Sequence, residues 1–135
     1  YWAQALAGGD GRRPIYVAED EKVQIVGFAA GGPEREQDAG FQGEVYAIYV
    51  LAIHQRLGIG GDLFRAVAAR LAEAGMTSLL VWVLVANPAR RFYEALGGTL
   101  ARERRIEIGG ALLDEVAYGW PDTRGLAEGE ALAIG

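Results

Sequence analysis

The 135-residue chain has no cysteine, one histidine, one methionine and four prolines. Without cysteine there can be no disulfide, no thiolate nucleophile and no zinc-finger ligand set. With His54 as its one histidine, a histidine-rich metal site is excluded, and no metal is expected. No apolar run approaches the length of a membrane span, and no signal-peptide pattern opens the sequence, so the chain is expected in the cytoplasm. Lysine is nearly absent too: Lys22 stands alone, and arginine carries the remaining positive charge. A net charge of −5 argues against a general nucleic-acid binder. What is present is 51% hydrophobic and 23% charged, the make-up of an ordinary globular domain. One domain over 1–135 with a continuous core is expected. Abundant Ala, Gly and Arg suggest a bacterial source.

Periodicity divides the chain. Residues 1–6 read as a helix remnant. Residues 15–19 and 23–30 read as strands paired across the polar turn 20–22. Residues 31–43 carry glycines and Pro33 and read as a loop. Residues 44–51 and 79–85 are apolar runs of the kind found in covered, central strands. Between them Ile59, Leu63, Phe64, Val67 and Leu71 recur at helical spacing, with Gly75 placed to end the helix. A strand, a helix and a second covered strand imply a parallel βαβ unit with a right-handed crossover. Asn87, Pro88 and Gly97 suit the cap, first position and end of a short second helix. Residues 99–108 and 111–120 flank Gly109-Gly110, a two-residue hairpin signal. From Pro121 onward a loosely packed tail is expected.

The chemistry-bearing stretch is Gln55-Arg56-Leu57-Gly58-Ile59-Gly60-Gly61, between a strand pattern and a helix pattern. Glycines there let a ligand approach the backbone, and the first turn of a helix offers free N–H groups at the positive end of its dipole. A phosphate or pyrophosphate is the natural occupant. A P-loop is excluded because no lysine follows the glycines. A dinucleotide fingerprint fails because Leu63 stands where its third glycine belongs. The remaining pattern, Gln55-x-x-Gly58-x-Gly60, resembles the acetyl-coenzyme A loop of the GCN5-related N-acetyltransferase (GNAT) family. A second stretch, Asn87-Pro88-Ala89-Arg90-Arg91-Phe92-Tyr93-Glu94-Ala95-Leu96-Gly97, is similar to the family's short helix bearing a tyrosine near the coenzyme sulfur. Ala52 replaces a frequent family proline. The resemblance spans about residues 15–120. It implies an α/β (α+β) fold: a mixed, mostly antiparallel sheet with a central splayed parallel βαβ unit and helices on both faces. The family's opening strand and helices are expected to be truncated or missing here.

What the resemblance implies chemically is direct acetyl transfer from acetyl-CoA to a primary amine, with no covalent acyl-enzyme. Glu44 matches the offset of the family's glutamate and is the candidate general base. It shares an alternate-residue face with Tyr46, Ile48 and Val50. Partial desolvation at the start of an apolar strand would raise its pKa; a solvated strand-end carboxylate or an ion-pair partner is the competing reading. Glu19 and Glu34 are weaker alternatives. Tyr93 is the candidate general acid, through a phenol that can donate to the sulfur, or else a packing tyrosine beside Phe92 and Leu96. Backbone groups of Ile48, Tyr49 and Val50 would bind pantetheine. The amides of Leu57, Gly58, Ile59, Gly60 and Gly61 would bind the pyrophosphate, with Gln55 in the loop and Arg56 beside the phosphates. Asn87 is a helix cap or a pantetheine contact. His54 is expected to face solvent. Arg102, Arg104 and Arg105 read as a solvated strand face, with a contact to an acidic acceptor as the alternative.

The acceptor is a small molecule or peptide amine. Glu34, Glu36 and Asp38 would form an acidic rim favouring a cationic one. No nucleic acid or membrane partner is expected, and an exposed sheet edge could pair with a second copy as a homodimer. The competing function is a catalytically silent acyl-CoA-binding module on the same fold.

Overall fold

The structure is a computed structural model and describes residues 2–5, as backbone, together with residues 12–55 and 58–126. These form a seven-stranded sheet in the order β1-β2-β3-β4-β5-β7-β6. The strands are β1 (Trp2–Ala5), β2 (Ile15–Glu19), β3 (Ile25–Pro33), β4 (Gly43–Val50), β5 (Leu79–Leu84), β6 (Thr99–Ile108) and β7 (Ala111–Trp120). Helix α1 (Ile59–Glu73) crosses from β4 to β5, and the short α2 (Arg90–Ala95) follows β5. Every neighbouring pair is antiparallel except β4 with β5.

Helix α1 forms because its apolar residues fall on one stripe. Ile59, Leu63, Phe64, Val67 and Leu71 are all at most 2% exposed, and each such burial stabilises by about 1.5–3 kcal/mol. They meet Val26, Ala29, Val45, Val81, Val83, Val116, Tyr118 and Trp120 from the sheet in one core. Gly75, at φ +90°, ends the chain's run past Ala74, as its position predicts. Tyr93 of α2 belongs to the same core. Both α1 and α2 reach this core on one face of the sheet. The other face carries the 34–42 loop.

Three segments depart from the sequence reading. Trp2–Ala5 is not helical but a strand, paired with β2 from Trp2↔Glu19 to Ala5↔Tyr16. So short a segment makes a poor helix, whereas the edge of β2 offers partners for its backbone. Strand β3 runs on through Gly31 and Gly32, which read as loop glycines. They are glycines because neighbours press on them: a Cβ at Gly31 would lie 2.6 Å from Val67 Cγ1, and one at Gly32 2.5 Å from the Tyr46 hydroxyl. The 121–126 segment is fastened rather than loose, with the Thr123 N–H donating to the Thr77 carbonyl at 2.8 Å and Leu126 packed on the core. The hairpin of β6 and β7 matches its expected bounds. Gly109 and Gly110 both have positive φ, 57° and 84°, as a type I′ turn requires.

Candidate active site

The parallel pairing of β4 and β5 consists of Gly43↔Leu79 and Glu44↔Leu80. Beyond Glu44 the two strands diverge. Among the described residues, the β5-facing backbone groups of the 45–50 stretch, which holds Ile48, Tyr49 and Val50, have no strand partner on that side, while the other edge is paired with β3 through Gly27↔Val50. Likewise β5 pairs with β7 along its far edge to Leu84↔Glu115. The result is a V with Glu44 at its vertex.

At the open end, the chain leaves β4 through the turn Ala52–His54 and returns to α1 at Gly58. The Gln55 side chain donates from Nε2 to the Val50 carbonyl at 3.1 Å, tying the loop back to the strand. Gly58 is the N-cap of α1 at φ +83°, with no side-chain cap. A Cβ there would meet nothing within 4 Å, so glycine is required by its backbone angle and not by crowding. The Asp62 N–H donates to the Gly58 carbonyl. The N–H groups of Ile59, Gly60 and Gly61 lie in the first turn, where a helix supplies no acceptor of its own. Asp62 adds a negative charge there, offset by its 3.0 Å pair with Arg65. Gly60 lies where a Cβ would come 3.2 Å from the Phe92 ring and 3.8 Å from Val50. That places the helix start, α2 and the end of β4 together. Arg56 and Leu57 lie outside the described residues. His54 is half-buried rather than solvent-facing, with its Nδ1 buried and unbonded among the described residues.

Glu44 is 2% exposed. Its carboxylate is an ion-pair partner: Arg35 donates its backbone N–H to Oε1 at 3.2 Å, its Nε to Oε1 at 3.4 Å and an Nη to Oε2 at 2.7 Å. The same guanidinium stacks 4.1 Å from the Tyr46 ring centroid. The Glu44 hydrogen bond raises the Arg35 pKa further. Burial, followed by the Glu44 charge, raises that of the Tyr46 hydroxyl, which donates to the Pro33 carbonyl. The expected common face of Glu44, Tyr46, Ile48 and Val50 is not formed. Ala30 pairs with Ala47 but Gly31 with Val45, so Tyr46 is an extra residue, a β-bulge. The bulge shifts the alternation by one. Val45 below it and Ile48 and Val50 above it all reach the α1 core, while Glu44 and Tyr46 meet Arg35 on the other face.

Tyr93 is 8% exposed, with its ring near those of Phe64, Phe92, Tyr118 and Trp120. Burial raises its pKa, which keeps the hydroxyl protonated and able to donate. That hydroxyl has no hydrogen-bond partner among the described residues. Helix α2 is held over β7 by Tyr118, which donates to Glu94 at 2.8 Å and accepts from Arg90 at 3.1 Å. Asn87 caps, though not at the helix itself: its Oδ1 accepts the Ala89 N–H at 2.8 Å in the turn before α2. Of the weaker base candidates, Glu34 is occupied by the N–H groups of Glu36 and Asp38. Glu19 lies at the end of β2 opposite Trp2.

The acidic rim is not free. Asp38 accepts two hydrogen bonds from Arg102, at 2.8 and 2.9 Å, and Glu36 is bound by Arg104. Arg104 also pairs with Glu115 at 2.8 Å and stacks 3.9 Å from the Trp82 ring. Arg102 and Arg104 are thus structural partners of the loop, whereas Arg105 is exposed and pairs with Asp114 of β7 at 3.0 Å. Sequence reasoning missed these two pairs because no local pattern marks partners separated by 64 and 68 positions, and it missed Arg35 because nothing in the sequence says that its side chain turns to Glu44.

A family model described as FR47-like protein matches residues 27–106. Uncharacterized N-acetyltransferase YuaI of Bacillus subtilis is 43% identical over 112 residues, 83% of this chain and 65% of that protein. Phosphinothricin N-acetyltransferase of Streptomyces viridochromogenes is 33% identical over 99 residues, 73% of this chain and 54% of its own length. The chain thus spans less than two thirds of either relative. Among solved structures, yncA of Salmonella typhimurium with its cofactor acetyl-CoA superimposes with a TM-score of 0.65 at 24% identity, covering 80% of this chain and 64% of that one. That likeness is one of fold. With the V, the glycine-capped α1 and the match over more than half its length, the chain belongs to the GCN5-related N-acetyltransferase family, through its FR47-like group.

Proposed function

We propose that this chain is the catalytic domain of an acetyl-CoA-dependent N-acetyltransferase acting on a primary amine of a small molecule or peptide. The carrying observation is that β4 and β5 pair at two positions and then part, with the capless start of α1 at the open end. A pantetheine arm lying in the V would meet the Ile48–Val50 segment as an added strand does, through the β5-facing groups left open beside the Val50 carbonyl that Gln55 already binds. The pyrophosphate would sit on the amides of Ile59, Gly60 and Gly61. Acetyl-CoA, when bound, supplies the acetyl thioester.

The protein's own residues supply the rest. Glu44, at the vertex, takes the proton that an acceptor ammonium must lose, directly or through a water. The Tyr93 hydroxyl donates to the leaving sulfur. With no cysteine in the chain, transfer goes directly to the amine. The relatives' names, N-acetyltransferase in both cases, support this reading. Because Glu36 and Asp38 are paired with arginines and Glu34 is turned onto the loop's own amides, a preference for cationic acceptors draws little support from their charge.

A silent acyl-CoA-binding module is the second reading, favoured by the hold of Arg35 on Glu44. Calorimetry with acetyl-CoA and free-thiol release across an amine panel decide between them. Binding with turnover supports the transferase. Binding without turnover on any amine leaves the silent module, and no binding overturns both.

A further inference from the structure

We infer that Arg102 and Arg104 of β6 are positioning residues for acetyl transfer: through Asp38 and Glu36 they fasten the 34–42 loop so that Arg35 holds Glu44 in place. The inference rests on Glu44 serving as the base.

Apart from Arg35 itself and Phe41, whose ring lies against Gly119 of β7, the middle of the loop is fastened to the sheet chiefly by these two arginines. Its two ends are tied by the Glu34 N–H to the Gln42 carbonyl, 3.0 Å, and by Gln42 to Ser78 and Thr77. Between them the backbone turns through Gln37 at φ +58°, a conformation that costs a non-glycine residue stability. Isolated surface ion pairs contribute about 0–1 kcal/mol, and bidentate or networked ones are the exceptions. Both exceptions occur here. Arg102 grips Asp38 with two nitrogens and lies over the Phe41 ring at 5.4 Å. Arg104 joins loop, β7 and β5 by way of Glu36, Glu115 and Trp82.

Arg35 sits directly before Glu36, so a displacement at the clasp moves it. A carboxylate offers about four acceptor sites. Arg35 uses three on Glu44, two at Oε1 and one at Oε2. The fourth, on Oε2, is left for the acceptor's proton, in a direction fixed by the other three. Loss of the clasp frees the carboxylate to rotate, and misplacement on the order of 1 Å can cost 10²-fold in rate.

The test uses Asp38→Arg, Arg102→Asp and the two together, which restores an ion pair in reverse. Each single change should lower kcat by roughly tenfold and lower the Tm by a few degrees, with the acetyl-CoA Kd nearly unchanged, and assays are run well below the lowered Tm. The reversed pair should recover most of the rate. In parallel, the Arg35 Nε–H resonance should lose its protection from solvent exchange in each single variant and regain it in the pair. This readout needs no turnover, so it stands even if the chain proves not to be a transferase. Wild-type kcat in both single variants, or an Arg35 signal indifferent to the clasp, would overturn the inference. So would single variants that lose rate but gain nothing from the reversed pair.

Discussion

Glutamine at position 44 keeps the side chain's size and removes its charge. The carboxylate is 2% exposed and takes three hydrogen bonds from Arg35. The glutamine oxygen can keep one end of that contact. The new amide, placed where Oε2 stood, turns N–H groups toward a guanidinium, donor against donor. Were Arg35 trapped, a stranded buried charge would cost about 3–5 kcal/mol. Its side chain is 58% exposed, so it can swing into water, and the loss reduces to that of charge-assisted hydrogen bonds, about 1.5–3 kcal/mol, with screening favouring the lower end. For a chain of this size that is a fall in Tm of roughly 5–10 °C. The kinetic effect is separate. A general base contributes about 10²–10⁴-fold, so kcat for thiol release, measured well below the lowered Tm, should drop by at least about 10²-fold with acetyl-CoA affinity retained. Arg35→Ala is the companion: it keeps the carboxylate but strands a buried charge, so it should cost more stability than Glu44→Gln, up to about 3–5 kcal/mol, and lose rate only in part. A folded Glu44→Gln protein turning over within about twofold of wild type would refute the base assignment and leave Glu44 a structural ion-pair partner.

Three further outcomes are expected. Tyr93→Phe removes a hydroxyl that has no partner among the described residues and leaves the aromatic packing intact, so the Tm should hardly move while transfer slows; full specific activity would mark Tyr93 as a packing residue. Gly60→Val pushes a branched side chain toward Phe92, 3.2 Å from the new Cβ, costing about 1–3 kcal/mol of overpacking and screening the α1 amides. Gly58→Ala meets nothing but is strained at φ +83°, by about 1–2 kcal/mol; calorimetry should show weaker acetyl-CoA binding for Gly60→Val, and unchanged affinity would sink the pyrophosphate site. The Asp38 carboxyl is held below its ordinary 3.8 by Arg102 first and the Gly40 N–H second. A depressed carboxyl stabilises the fold above its unfolded pKa, so the clasp is intact above about pH 4 and is lost as pH falls through the lower folded value. An NMR titration should place the Asp38 midpoint below 3.8, returning toward it in Arg102→Gln; an unmoved midpoint in that variant would contradict the pairing.

The parts legible in the sequence are those fixed by local chemistry. The β6–β7 hairpin follows from two runs and a Gly-Gly pair able to take positive φ at both positions. Helix α1 follows from five apolar residues at helical spacing between Gly58 and Gly75. The V follows from two covered strands joined by a helix, read through a family resemblance. What escaped depends on distant partners. Gly31 and Gly32 look like loop glycines until Val67 and Tyr46 are seen pressing on them. The acids of the 34–42 loop look solvated until β6, over sixty positions later, supplies their arginines. Arg35 could have been suspected as a cation close before Glu44, but nothing in its spacing says that it turns inward.

The bulge at Tyr46 bears on how the gene can vary. A strand of regular pleat that loses one residue turns everything on one side of the loss to the opposite face. Here the extra residue is already built in, between an acid that must meet Arg35 and the apolar pair Ile48 and Val50 that must meet α1. An in-frame deletion of that single codon would straighten β4 and present Glu44 to the hydrophobic core, or Ile48 and Val50 to the loop. Either result buries a charge or exposes the core's edge. Substitution of Tyr46 should therefore be far better tolerated than its removal, and length in this eight-residue strand should be more tightly constrained than composition.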